Sequence, residues 1–217
     1  RRPAGALAVQ IRYPKGKRRE MRVLTIEEQK RLVAYLLHPT DSCKFGLLLA
    51  LYTGLRIGEL CALRWSCIDL REQTIRIAAT MQRLGGTGEG TRIAIGAPKS
   101  DSSLRTIPLP AQIAALCRHM QPTDPEAYVL TGGPAYMEPR TLQYRLKRYT
   151  AACGLEGVHA HTLRHTFATR AIESGFELKS LSEVLGHATT AITMERYVHS
   201  TLEMKRTNMN KLAMPEI

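Results

Sequence analysis

Apolar residues recur at helical spacing along most of this 217-residue chain, and one stretch, Thr74 to Leu109, breaks the rhythm. Inside it Ile75 and Ile77, then Ile93 and Ile95, alternate with smaller or polar neighbours, which is the period of a strand with one buried face. Leu84 to Thr91 holds four glycines and reads as a long flexible connection. Thr106-Ile107-Pro108-Leu109 closes the segment as a short edge strand, because Pro has no N–H to give a central ladder. Around this segment the pattern predicts helices. One starts near Ile26, with Thr25 and Glu28 as a capping box, and another runs from about Cys43 to Tyr52 before Thr53-Gly54. Others begin near Ile57 or cover about 111–119, 139–152, 161–173, 178–184 and 189–198. The expected fold class is mainly α with a small antiparallel β-sheet or hairpin, and no internal repeat is evident.

Length and a 44% apolar content allow a sizeable core, in one large domain or two small ones. Thirty-one Lys and Arg against nineteen Asp and Glu leave a formal charge of +12, an excess that attracts polyanions through counterion release. Charge alone does not separate DNA from RNA or an anionic membrane. The longest apolar run, Phe45 to Leu55, is too short to span a bilayer and contains Gly46 and Gly54, so no membrane anchor is expected. Cys43, Cys61, Cys67, Cys117 and Cys153 are odd in number and form no CxxC pair, which fits buried thiols in a reducing compartment better than disulfides or a zinc knuckle. Residues 1–22, rich in Arg, Lys, Gly and Pro, read as a basic linker or arm, or as a solvated surface. The chain opens on Arg1 with no Met and no apolar signal stretch, so an upstream domain is expected.

The densest polar signal is His161-Thr-Leu-Arg164-His165. On a helix, His161, Arg164 and His165 share one face, so a single turn offers an imidazole and a planar guanidinium fork suited to two phosphate oxygens. A core histidine beside a surface ion pair would look the same, and a metal site lacks a second ligand cluster. Gly54-Leu-Arg56-Ile-Gly58-Glu59 puts a second Arg at a helix start, with Glu59 either orienting a catalytic group or simply pairing with Arg56. Pro98-Lys99-Ser100 lies at the edge of the glycine-rich excursion, where a Lys can reach a substrate or merely face solvent.

Leu185-Gly186-His187 precedes Tyr197 by about three helical turns. A tyrosine near a domain's end is commonly a packing anchor. As a nucleophile it suffers from a reference pKa near 10, which leaves about one hydroxyl in 1,000 ionised at neutral pH. Two Arg with His or Lys around it would lower the penalty of ionisation and would neutralise a pentavalent phosphoryl transition state.

Taken in order, Arg56 within TGLRIGEL, Lys99 within APKSDSSLRTIPL, His161 and Arg164 within HTLRHTFAT, His187 within LGHATTAIT and Tyr197 within MERYVHS resemble the active-site series of the tyrosine recombinases, the phage integrase family. The resemblance runs from about Val23 to His199. It implies the tyrosine recombinase catalytic fold, related to that of type IB topoisomerases. It implies that Arg56 and Arg164 clamp the scissile phosphate with help from His187, and that His161 accepts a proton or orients the tyrosine. Lys99 would protonate the departing 5′ oxygen, Glu59 would support the architecture, and Tyr197 would form a 3′-phosphotyrosyl link. No metal and no cofactor is implied.

The long β-hairpin insertion around 78–96, followed by PKSDSSLRTIPL, resembles integrases of conjugative transposons. Through the resemblance, residues 1–22 become the linker to a core-binding domain, 23–199 the catalytic domain, and 200–217 a tail that docks on a neighbouring subunit. Double-stranded DNA at mobile-element ends and target sites is the implied partner, with Arg12, Lys15, Lys17, Arg18, Arg19, Arg83, Arg92 and Arg105 as candidate DNA contacts. A homo-oligomer assembling from dimer to tetramer, a directionality factor and a bacterial cytoplasmic, nucleoid-associated location follow from the same resemblance. DNA relaxation by a topoisomerase-like enzyme and resolution of chromosome or plasmid dimers are the alternatives.

Overall fold

The computed structural model of the protein describes residues 21–85, 91–98, 101–197, 206 and 209, apart from the side chains of 101 and 195–197. Arg12, Lys15, Lys17, Arg18, Arg19, Lys99, the turn of the 78–96 insertion and nearly all of the 200–217 tail therefore lie outside the described residues.

Helix α2 (Ser42–Thr53) forms the axis of the core. Its sequence SCKFGLLLALYT is apolar on every face, so it is stable only where other elements cover it on all sides. Phe45, Leu47, Leu48, Leu49 and Leu51 are all buried, each contributing about 2 kcal/mol through lost apolar exposure. Asp41 caps the start by accepting from the Lys44 N–H at 2.8 Å. Lys44 itself is buried, and its ammonium donates to Pro39 O at 2.8 Å and lies 4.5 Å above the Tyr35 ring. Helices α1 (Ile26–Leu37), α4 (Ala111–Met120) and α6 (Ala160–Glu173) pack around α2, and α5 (Pro139–Ala152) lies against α1 and against α3 (Ile57–Ala62). The expected Thr25/Glu28 capping box starts α1. Phe45 and Trp65 stack with ring centroids 5.6 Å apart inside this core.

The strands form two separate antiparallel sheets. Strands β1 (Ile68–Asp69), β2 (Thr74–Ile77) and β5 (Arg105–Pro108) form one antiparallel sheet in the order β1-β2-β5, with Ile75 opposite Ile107 and Ile77 opposite Arg105. Strands β3 (Thr80–Gly85) and β4 (Thr91–Gly96) form a separate hairpin, with Met81 opposite Ile95 and Gly85 opposite Thr91. The Ile75/Ile77 and Ile93/Ile95 stretches are thus not partners. Pro108 sits on the edge strand, as its missing N–H requires.

Helices α7 (Leu178–Leu185) and α8 (Thr190–Tyr197) complete the described chain. Leu181 and Leu185 join Ala168 and Ala171 of α6 in a second, smaller apolar cluster, with Phe167 and Ile172 against it. Cys43, Cys61 and Cys117 are buried, and burial pushes the Cys61 and Cys117 thiols up to about 12. Cys67 and Cys153 are half-buried, short of the full burial expected for them. Among the described residues no helix is long and apolar enough to cross a membrane.

Candidate active site

Two helices that end in the left-handed conformation frame the site. Gly54 stops α2 at φ 67° and Gly186 stops α7 at φ 64°. A Cβ would meet Phe167 at 2.5 Å from Gly54 and Arg105 Nη1 at 2.9 Å from Gly186, so both backbone angle and space favour glycine. The carbonyls at these helix ends carry the negative pole of the helix and need donors. Arg164, in the second turn of α6, supplies them: Nη1 donates to Gly54 O at 2.6 Å and Nη2 to Leu185 O at 2.7 Å. The residue is only 4% exposed.

Arg56 reaches the same turn from the other side. Its Nη2 donates to Gly186 O at 2.7 Å, its Nη1 to Glu59 Oε1 at 2.7 Å, and its backbone N–H to Glu59 Oε2 at 2.9 Å. Two arginines far apart in sequence therefore bind adjacent carbonyls, Leu185 and Gly186. Unlike Arg164, Arg56 keeps 33% of its side chain exposed, so it is bound to the protein and still accessible from solvent. Glu59 is buried; burial pushes its carboxyl up, but hydrogen bonds and charge from Arg105, then from Arg56, outweigh this and hold it below the usual carboxylate range.

His187 comes next along the chain. Its Nε2 lies 3.0 Å from Arg164 Nη2 and its Nδ1 lies 2.8 Å from Thr193 Oγ1. A guanidinium only donates, so Nε2 accepts, and the ring proton resides on Nδ1 and is donated to the Thr193 hydroxyl. Thr193 is fully buried on α8, four residues before the helix ends at Tyr197. The His187–Thr193 bond thus ties the α7 turn to the helix that ends at Tyr197. The sequence reading missed Thr193, although its four-residue spacing from Tyr197 was a usable signal. His161, in the first turn of α6, is exposed, with its ring 6.2 Å from that of His165.

The profile of the phage integrase family matches residues 22–204 of this chain. The chain belongs to that family. It is similar to the tyrosine recombinase XerC of Xanthomonas campestris pv. campestris, at 34% identity over 209 residues that cover 91% of this chain and 57% of the relative. Among solved structures it resembles the Tn1549 transposon integrase in complex with a circular intermediate DNA (TM-score 0.71, 23% identity, 90% of this chain and 67% of that one). It also resembles the catalytic domain of the bacteriophage HP1 integrase (TM-score 0.59, 19% identity, 88% of this chain and 95% of that one). The chain spans about half the length of the curated relatives it matches. The fold is that of tyrosine recombinase catalytic domains.

Within this family fold, the remaining expected residues fall into separate groups. Arg56, Glu59, Arg164 and His187 converge, and α8 carries the Tyr197 backbone to its end. Arg105, expected among the DNA contacts, is instead turned inward. Its side chain is 6% exposed and bound to Glu59, because the sheet edge packs against α3 and α7 at that point. Arg83 lies on the exposed half of the hairpin but is paired with Glu138 and with Thr91 Oγ1, the latter at 2.9 Å. Arg92 is exposed on β4. The larger cationic surface is on α5, where Leu142 and Leu146 face the core while Arg140, Arg145, Lys147 and Arg148 are exposed around Gln143 and Tyr144. The sequence reading passed over it, though the cations at 140, 145, 147 and 148 between buried leucines were visible.

Proposed function

We propose that this chain is the catalytic domain of a site-specific recombinase that cleaves and rejoins duplex DNA at the ends of a mobile element. The observation that carries this reading is the convergence of Arg56 and Arg164 on adjacent carbonyls of the turn that presents His187, beside the helix ending in Tyr197. Arg56 and Arg164 hold the non-bridging oxygens of the scissile phosphate and neutralise the charge that grows there in the transition state. The Tyr197 oxygen attacks phosphorus, its proton passing to a base for which His161 is the candidate. The bond from phosphorus to the 5′ oxygen breaks, and that oxygen takes a proton from Lys99. One phosphodiester replaces another, so the new 5′ hydroxyl of a partner strand can reverse the step without ATP. The exposed cations of α5, with Arg92, track the DNA backbone, and the 200–217 tail docks on a neighbouring subunit in a dimer that assembles to a tetramer.

The test is a nicked suicide duplex bearing the terminal sequence of the element that carries the gene. The expected result is a covalent protein–DNA adduct on a denaturing gel, absent in Tyr197→Phe, which still binds the DNA. An adduct that survives in Tyr197→Phe removes the assignment. A second reading, resolution of chromosome or plasmid dimers, uses the same strand-exchange chemistry on a different DNA site. Adduct formation on a dimer-resolution site but not on element ends would select it.

A further inference from the structure

Arg105 is the first residue of β5, and every nitrogen of its guanidinium is engaged. Nη1 donates to Glu59 Oε1 and Nη2 to Glu59 Oε2, each at 2.9 Å, while Nε donates to Val184 O at 2.7 Å and Nη1 also to Ser103 O at 3.1 Å. Glu59 receives Arg56 on the same two oxygens, from Nη1 at 2.7 Å and from the backbone N–H at 2.9 Å. One buried carboxylate thus takes two bonds on each oxygen and sits between two guanidinium groups. Arg105 also packs beneath the α7 turn, its Nη1 filling the space that a Cβ on Gly186 would need. That turn supplies the carbonyls that hold Arg56 and Arg164.

We infer that Arg105 is a positioning residue for the phosphate clamp: it neutralises Glu59, so that Glu59 can fix the direction of Arg56 without cancelling the charge Arg56 offers to the DNA. The inference rests on the recombinase reading above. Charge arithmetic gives the reason. Arg56 with Glu59 alone is a neutral pair, and a partnerless buried carboxylate would draw Arg56 inward. Adding Arg105 leaves the trio at a net single positive charge. The bidentate fork of Arg105, 6% exposed, is the better-buried partner of Glu59, and Arg56, 33% exposed, is the one that solvent and an approaching phosphate can reach.

A purely structural Arg105 and a charge-balancing one respond oppositely when the charge on Glu59 is removed. The experiment compares wild type, Arg105→Met, Glu59→Gln and the double variant of the whole chain on the nicked suicide duplex. It reads the single-turnover rate of adduct formation at saturating DNA, and noncovalent affinity in the Tyr197→Phe background. Arg105→Met should slow cleavage about 10- to 100-fold with affinity held within about twofold, the scale expected when a reacting group is misplaced without losing substrate. Adding Glu59→Gln should restore part of that rate, because a neutral Gln still accepts from Arg56 and no longer competes for its charge. A double variant slower than Arg105→Met, an Arg105→Met that cleaves like wild type, or rate and affinity falling together would each overturn the inference. Should Arg105→Met lack a cooperative unfolding transition, Arg105→Gln with and without Glu59→Gln carries the same comparison. Absence of any wild-type adduct, or an adduct in Tyr197→Phe, would instead count against the recombinase reading.

Discussion

The cage of arginines around Glu59 and the α7 turn and the outer face of α5 both present cationic side chains and put them to opposite uses. In the cage, Arg105 and Arg164 are buried and bound to carboxylate or carbonyl oxygens, so their geometry is set by the protein before any ligand arrives. On α5, Arg140, Lys147 and Arg148 stand in solvent, free to follow whatever anion approaches. A buried guanidinium must be compensated where it lies, and removing it leaves its partners without donors. An exposed one is already solvated and contributes mainly through the release of counterions. In the proposed function, the basic residues behind the formal charge of +12 include two populations, one that shapes a phosphate site and one that gathers a polyanion.

The sharpest test of this division is Arg164→Met. The substitution leaves Gly54 O and Leu185 O without their donor and removes the contact to His187 Nε2, while roughly conserving volume. Unfolding in urea should show a loss of about 2–4 kcal/mol, the scale for unsatisfied buried polar groups. Adduct formation should fall at least about 100-fold from loss of a transition-state donor. The matching change on the outer face, Arg148→Met, should alter stability by less than about 0.5 kcal/mol. Equal effects at the two positions would erase the distinction between cage and surface.

A smaller effect follows from the titration of Glu59. Its carboxyl titrates below the ordinary range in the folded chain, so the carboxylate contributes stability that is fully present above the ordinary glutamate value and is lost as the pH falls through the depressed folded value. Glu59→Gln lacks that contribution. The stability gap between wild type and Glu59→Gln, measured by urea unfolding at a series of pH values, should be widest near neutrality and narrow on acidification. A gap that stays constant from neutral to acid pH would mean that the charge of Glu59 is not what the two arginines stabilise.

The helices of this protein were readable because their signals are local. Thr25 with Glu28, Gly54 and Gly186 mark ends through backbone hydrogen bonds and a left-handed angle that act within a turn. The pairing of β2 with β5 was not readable, because Ile75 finds Ile107 across the whole 78–96 insertion, through contacts distant in sequence. The resemblance nominated Arg56, Arg164, Glu59 and His187, which the fold brings together. It gave no sign that Arg164 would be buried while His161, three residues away, would be exposed. An Arg at the start of a short strand, such as Arg105, carries no mark of whether it faces solvent or a buried carboxylate. Only the packing of β5 against α3 and α7 decides that.

The mildest perturbation separates recruitment from chemistry. Each of Arg140→Gln, Lys147→Gln and Arg148→Gln removes one exposed cation from α5 and leaves the buried Leu142 and Leu146 untouched, so the fold should be unaffected. If these side chains neutralise phosphates, each loss should lower the slope of log affinity against log salt concentration by about one unit, the counterion release of a single contact. The cleavage rate at saturating DNA should stay within about twofold, since none of them touches the reacting phosphate in this reading. Measuring affinity across a salt series, together with single-turnover cleavage, gives both quantities from one set of variants. A fall in the saturated cleavage rate would draw α5 into the chemistry and blur the boundary between the two cation populations. An unchanged salt slope would remove α5 from the DNA path and leave the hairpin and the 1–22 arm to supply the electrostatic grip.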